Sequence, residues 1–332
     1  MHIAALRFFV AAFVSLALSP DNLSAQCCSP GNPLGGRANI GVLPEREWKV
    51  TASYAYGYSG DYYEGDRSVL SDFVESGYFS NVSLNVSYGV SSRLTIESDL
   101  SYVVSKVQDY VTGTLPSRIR GSGFGDASTL LHVNVYRDRR RRWEVTTGLG
   151  LKYPIGSYKQ KQDGAFLPID VQSSSGAVDF IHSLVLMRSV PERALHFQFV
   201  HRIEKKRGNP DGYRYGDLYA ASLFTSYTPT LRWNAIIQIR SEIRERDARP
   251  SGSIPVTGSV KAFVTPQIAY TVGPSLVLTA FADLPVYQYY NGKQLATTFA
   301  FSLGAVKRFG AGGLRNDRPP LARLLQTSPA PD

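Results

Sequence analysis

The chain carries only two cysteines in 332 residues, Cys27 and Cys28, and they are adjacent. Neighbouring residues cannot adopt ordinary low-strain disulfide geometry with each other. No histidine or further cysteine lies nearby, so a four-ligand metal site cannot be built from this segment alone. Gln26 precedes the pair where a lipid-modified cysteine needs a small residue. The pair therefore reads as part of a free or intermolecularly bonded segment, with a metal role as the weaker alternative. Beyond the N-terminus the chain also lacks any apolar run near the roughly 18 residues that a membrane-crossing helix requires, which excludes a helical membrane protein. Lys, Glu and Met do not dominate, and the chain is rich in aromatics, with 20 Tyr, 16 Phe and 3 Trp. That composition favours strands over helices. The net charge of +9 comes with no basic helix and no zinc-finger spacing, and much of it sits in clusters such as Arg139, Arg140, Arg141 and Arg142. Nucleic acid is not expected as a partner.

The first 25 residues read as an export signal. His2 and Arg7 precede the apolar stretch Phe8–Leu18, and Leu23-Ser24-Ala25 supplies a cleavage site before Gln26. Residues 26–47 are rich in Gly, Pro and Asn and show no periodicity, as does the tail from 310 to 332. Both are expected to be flexible periplasmic segments outside the folded unit.

From Trp48 onward apolar and polar residues alternate. Val82, Leu84, Val86, Tyr88 and Val90 alternate with Ser83, Asn85, Ser87 and Gly89, and Trp233, Ala235, Ile237 and Ile239 alternate with Asn234, Gln238 and Arg240. Successive side chains on a strand point to opposite faces, so each segment has one apolar and one polar face. About twelve such segments follow one another, near 48–59, 79–90, 93–108, 124–137, 142–153, 174–188, 194–206, 213–227, 230–246, 258–272, 275–288 and 296–309. Many run ten residues or more, longer than the five or six usual in globular proteins and close to the roughly 9–11 that cross a bilayer at a tilt. Tight turns such as Ser91-Ser92 and Thr228-Pro229 alternate with longer polar stretches, among them Ser59–Gly77, Val107–Gly123, Pro154–Ser173 and Gln288–Leu295. Short periplasmic turns and long external loops mark outer-membrane barrels. These features predict an all-β fold: a transmembrane antiparallel β-barrel over 48–309 with both termini periplasmic. A large soluble β-sandwich is the competing fold.

A membrane barrel puts its apolar parity against lipid, with aromatics at the rims. Tyr54, Tyr56, Tyr58, Tyr88, Tyr102, Trp143, Tyr153, Tyr270 and Phe309 fall on that parity, and Phe309 near the end of the last strand suits the barrel-assembly machinery. The opposite parity then lines the lumen. It holds Lys49, Glu97, Asp99, Asp126, His132, Glu144, Lys152, His196, Arg202, Glu204, Arg240, Glu242, Arg244, Lys261, Asp283 and Arg308, with Arg202, Glu204, Arg240, Glu242 and Arg244 as the densest group. Arginine or lysine in lipid costs about 2–4 kcal/mol at the midplane, so these groups must face inward. They make either a polar pathway for a small solute or a network of pairs that fills the interior.

No catalytic set emerges. An outer-membrane phospholipase needs Ser, His and Asn closely joined. Here His182-Ser183 continues as Leu184-Val185, and His201 continues as Arg202-Ile203. Gly121, Gly123 and Gly125 precede no helix, so they do not read as a phosphate loop. No cofactor is expected.

Gly121-Ser122-Gly123-Phe124-Gly125-Asp126 opens one strand, and Gly148-Leu149-Gly150-Leu151-Lys152-Tyr153-Pro154-Ile155-Gly156 closes the next. This resembles the outer-membrane proteins grouped under the meta-pathway of phenol degradation, with Ile155 where that pattern has Thr. The resemblance implies a transporter of aromatic or other hydrophobic compounds, near the FadL-like fatty-acid channels. The glycines also have a plain structural reading, a bulge or a close approach of backbones. The leading expectation is a passive channel for a small, aromatic or hydrophobic solute, with the loops around 59–77, 107–123 and 154–173 capturing or gating it. A structural or adhesion barrel plugged by its own charges is the alternative.

Overall fold

The computed structural model describes residues 41–70, 74–110 and 118–310. The export signal, the cysteine pair and the C-terminal tail from 311 lie outside the described residues. Twelve long strands make up the fold: β1 (Glu47–Ser59), β2 (Val74–Ser91), β3 (Leu94–Tyr110), β4 in two pieces (Arg118–Phe124 and Asp126–Asp138), β5 (Trp143–Pro154), β6 (Asp179–Val190), β7 (Leu195–Lys205), β8 (Leu218–Tyr227), β9 (Trp233–Arg244), β10 (Ser259–Thr271), β11 (Leu276–Ala296) and β12 (Phe299–Gly310). Each pairs antiparallel with its neighbours in the chain. β12 then pairs with β1 from Trp48↔Phe309 to Tyr58↔Phe299, which closes the sheet into a barrel. Closure leaves no open edge, the condition for a sheet to stand in hydrocarbon.

The five turns after β2, β4, β6, β8 and β10 gather at one end with Glu47 and Gly310, called here the short-turn end. Longer connections, including residues 155–178, 206–217 and 245–258, gather at the other, the long-loop end. One expected loop is not a loop. The polar stretch Gln288–Leu295 is drawn into β11, which runs to Ala296 and pairs there with a short strand, Asp61–Gly65. Its polar residues make edge hydrogen bonds in place of solvent contacts: Gln294 Nε2 donates to the carbonyls of Gly258 (3.1 Å) and Asn291 (2.7 Å).

The two faces of the wall separate as the alternation requires. Leu84, Ile96, Leu100, Leu131, Leu149, Leu223, Ile237, Ile239, Ile268 and Leu303 are exposed on the outside, while Asn85, Thr95, Ser128, Thr146, Ser222, Gln238 and Thr265 are buried on the inside. A soluble sandwich would bury the first set. Aromatic residues flank the apolar band. All three tryptophans lie at the short-turn end, with Trp48 against Tyr88 at 4.4 Å and Trp233 against Tyr270 at 4.5 Å. Tyr56, Tyr78, Phe299 and Phe301 cluster toward the long-loop end. Rings of this kind settle at the lipid headgroups. The band between them predicts that Ile239→Arg, midway along β9, costs about 2–4 kcal/mol of barrel stability. Urea unfolding in lipid vesicles, followed by the gel-mobility shift of folded barrels, would measure it.

Candidate functional site: a lumen strapped at both mouths

The inward row divides its charges into separate groups. Toward the long-loop end of β4–β7, Lys152 Nζ stands 3.4 Å from both Asp126 and Asp179 and 3.8 Å from Glu204. Arg202 Nη2 lies 2.8 Å from Glu204 Oε1, and Lys206 Nζ reaches Glu204 (2.6 Å) and Asp179 (3.0 Å). Three cations thus face three carboxylates. On β9–β11, Arg240 pairs with Glu242, stands 3.4 Å from Asp283 and lies over the Phe263 ring at 4.1 Å, while Lys261 is 3.7 Å from Glu242. On β2–β4, His132 Nε2 is 3.9 Å from Glu97, and Asn85 donates to Asp99 at 2.9 Å. Near the short-turn end, Arg137 meets Glu144 (3.3 Å), Arg308 meets Glu47 (3.1 Å) and His196 Nδ1 is 2.9 Å from Ser189 Oγ. Lys49 sits half-buried on the same row of β1.

The group that looks densest in sequence is therefore two groups. Arg202 and Glu204 join Lys152, Asp126, Asp179 and Lys206, whereas Arg240 and Glu242 join Lys261 and Asp283. Arg244 belongs to neither and faces the long-loop mouth, where its charge acts on Asp170. Periodicity gives the face a side chain occupies. It gives neither height nor neighbours across a tilted, staggered wall.

Sequence reasoning misses Asp179 and Lys206 of the first charged group, Arg137 and Glu47 near the short-turn end, and an apolar lumenal patch. Val185, Val200, Phe224 and Ile236 are buried together on the inward row of β6–β9, with Met187 packed against them. A water-filled wall takes polar residues there. The available signal is a lapse in alternation: Leu184-Val185-Leu186-Met187 and Phe199-Val200 are continuous apolar runs, so both faces are apolar at that point.

The long-loop mouth is crossed by residues 155–178. This connection folds inward and packs Leu167 and Val171 against Ile119 and Tyr110. Gly121 explains how it lies so close. A Cβ at Gly121 would stand 1.9 Å from the Val171 carbonyl oxygen, so only glycine lets the connection rest on the wall. Asp126 fixes the same segment by accepting from Ser174 Oγ (2.6 Å) and from Ser175 N (3.0 Å). The Gly121–Asp126 motif is thus the seat of an inward-folded loop. On its far side the connection touches the β7–β8 loop, where Tyr215 Oη donates to the Ile169 carbonyl at 3.2 Å. Asp170, beside that contact, is pushed up to about 7 by burial, with Lys106 opposing, Asp247 adding and Arg244 opposing; Tyr110, Tyr213 and Tyr215 also lie near it.

A raised acid pKa means that the folded state holds a proton the unfolded chain has released. The seating of this loop is then strongest below about pH 4 and weakens as pH rises toward 7. Proteolysis of the loop should be slower at pH 5 than at pH 8, and Asp170→Asn should remove the difference.

The short-turn mouth is crossed by residues 41–46, the described end of the segment expected to hang free. Arg46 N donates to Gly89 O (2.8 Å) and Leu43 N to Thr95 Oγ1 (2.8 Å). A Cβ on Gly89 would lie 1.9 Å from the Pro44 carbonyl oxygen. Leu43 is buried, and Gly41 packs against Met187 of β6, beside the apolar patch. Gly/Pro-rich sequence without periodicity reads as a tail. Here a bare glycine and a threonine hydroxyl on the inward row of the barrel hold it.

Residues 57–299 match the family model described as Putative MetA-pathway of phenol degradation. The chain belongs to that family. Its fold is that of an outer membrane channel from Pseudomonas putida F1, with a TM-score of 0.65 at 14% identity over 82% of this chain and 98% of that one. The NanC porin follows with a TM-score of 0.46 at 11% identity over 77% of this chain and 98% of that one. The translocator domain of the autotransporter NalP from Neisseria meningitidis gives 0.44 at 9% identity over 80% and 90%. A search of the curated proteins finds no match. With its closed wall and apolar exterior, this family member is a β-barrel of the bacterial outer membrane.

Proposed function

We propose that this protein is a passive channel that lets a small aromatic or otherwise hydrophobic solute cross the outer membrane down its gradient. The observation that carries the reading is the apolar patch Val185, Val200, Phe224 and Ile236, packed together on an inward row that elsewhere mixes charged and polar groups with separate buried residues such as Leu130, Ile181 and Phe263. A purely aqueous pore gains nothing from it, whereas a hydrophobic solute finds there a place to shed water. The charged groups of the inward row line the same path and keep it wet on either side. The short-turn end faces the periplasm, both termini with it, and the barrel-assembly machinery inserts the chain through its last strand. Bilayer lipid and the solute are its partners in service. No nucleotide-binding motif is legible in the sequence, and the reading takes a concentration gradient as the driving force.

Planar-bilayer recording tests the reading. The expected result is an ion current that benzoate or phenol blocks in a saturable way, with Phe224→Ala weakening the block about tenfold. A second reading, a sealed structural barrel, draws on the ion pairs and the two straps. It would be adopted if the bilayer stayed closed both for the native chain and for variants with either strap displaced.

A further inference from the structure

Six arginines gather at one place on the rim. The β4–β5 turn contains Arg139, Arg140, Arg141 and Arg142 in succession, and the β6–β7 turn contributes Arg193. The two turns lie side by side because β5 pairs with β6: Trp143 is opposite Arg188, and Ser189 N donates to Arg142 O at 3.2 Å. Arg188 is on the lipid-facing row, and its guanidinium lies 5.3 Å from the centre of the Trp143 ring. Two carboxylates accompany these six arginines. Glu192 pairs with Arg142 at 2.9 Å, and Asp138 is occupied by the backbone N of Arg141 at 2.9 Å. Arg139, Arg140, Arg188 and Arg193 are exposed and form no ion pair among the described residues.

We infer that this patch binds the phosphodiester headgroups of anionic phospholipids in the leaflet at the short-turn end. Trp143 and Tyr136, exposed on the outer face just above the turn, set its depth, because such rings settle at the headgroup level. The arginines next to them therefore lie at headgroup phosphates, where basic clusters attract anionic lipid. Arg188 is the most telling member. A guanidinium on the lipid-facing row must carry its charge out along the Trp143 ring to the interface, and a planar donor fork there suits a phosphate. The inference uses the membrane orientation proposed above and is independent of whether any solute passes.

Native mass spectrometry of the detergent-solubilised full chain provides the test. It would be titrated separately with phosphatidylglycerol, phosphatidylcholine and lipid A. Native protein should retain phosphatidylglycerol at concentrations at least tenfold below those needed for phosphatidylcholine. Arg139→Gln, Arg140→Gln, Arg141→Gln and Arg188→Gln together should abolish that preference while leaving phosphatidylcholine unchanged. Should the fourfold variant fail to fold by gel mobility, the pair Arg139→Gln and Arg140→Gln, confined to the turn, should reduce the preference at least threefold. Equal retention of both phospholipids by the native chain, or an undiminished preference in a folded variant, would overturn the inference. Tighter binding of lipid A than of phosphatidylglycerol would overturn it too, and would point to the opposite leaflet. A sealed bilayer in the channel assay would leave it standing.

Discussion

Gly89→Leu should raise single-channel conductance several-fold. Gly89 is on the inward row of β2, and the chain from Gly41 to Arg46 runs directly over it. The Pro44 carbonyl oxygen occupies the space a Cβ would need, so any side chain must push that segment off the wall. Once it moves, the Leu43 N–Thr95 bond breaks and Leu43 loses its buried position. The barrel wall itself loses little, since the Gly89↔Thr95 pairing of β2 with β3 is a backbone matter. The variant should therefore fold with near-native stability and conduct more. Deleting residues 26–44 should give the same gain without touching the wall. If both variants conduct as the native chain does, the segment does not narrow the passage.

Glu204→Ala should cost about 3–5 kcal/mol of barrel stability. Its carboxylate accepts two bonds from Arg202, at 2.9 and 2.8 Å, and one from Lys206 at 2.6 Å. Removing it leaves Arg202, Lys152 and Lys206 facing only Asp126 and Asp179, an uncompensated positive charge behind a wall. Glu204→Gln keeps the shape and some acceptor capacity and should cost less. The measurement is the urea midpoint in vesicles. A loss below about 1 kcal/mol, the range of exposed pairs, would mean that bulk water reaches the cluster. Ion selectivity should then shift instead, as a wet filter requires.

The strand count, the closure and the two faces are legible because they depend on a period of two. The residues Val82, Leu84 and Tyr88 against Ser83, Asn85 and Ser87 suffice to say which side of β2 meets lipid. Edges of elements are less legible. β11 extends through Gln288–Leu295 because Asp61–Gly65 arrives to pair with it, and a partner more than 200 residues away leaves no local mark. Family membership was legible in the glycine motif, but the reason for the motif was not. Gly121 is needed because Val171 comes to rest on it, and that contact joins residues 50 positions apart.

Alternation alone establishes that this chain forms a wall with one mostly apolar and one mostly polar face. Which charges meet, the apolar patch inside the wall and the two segments across the lumen all follow from how the closed sheet brings distant parts of the chain together. The physical reason is range. Alternation is set by the geometry of one strand, whereas pairing across a closed, tilted sheet and the seating of a loop on a bare glycine depend on where distant segments come to lie.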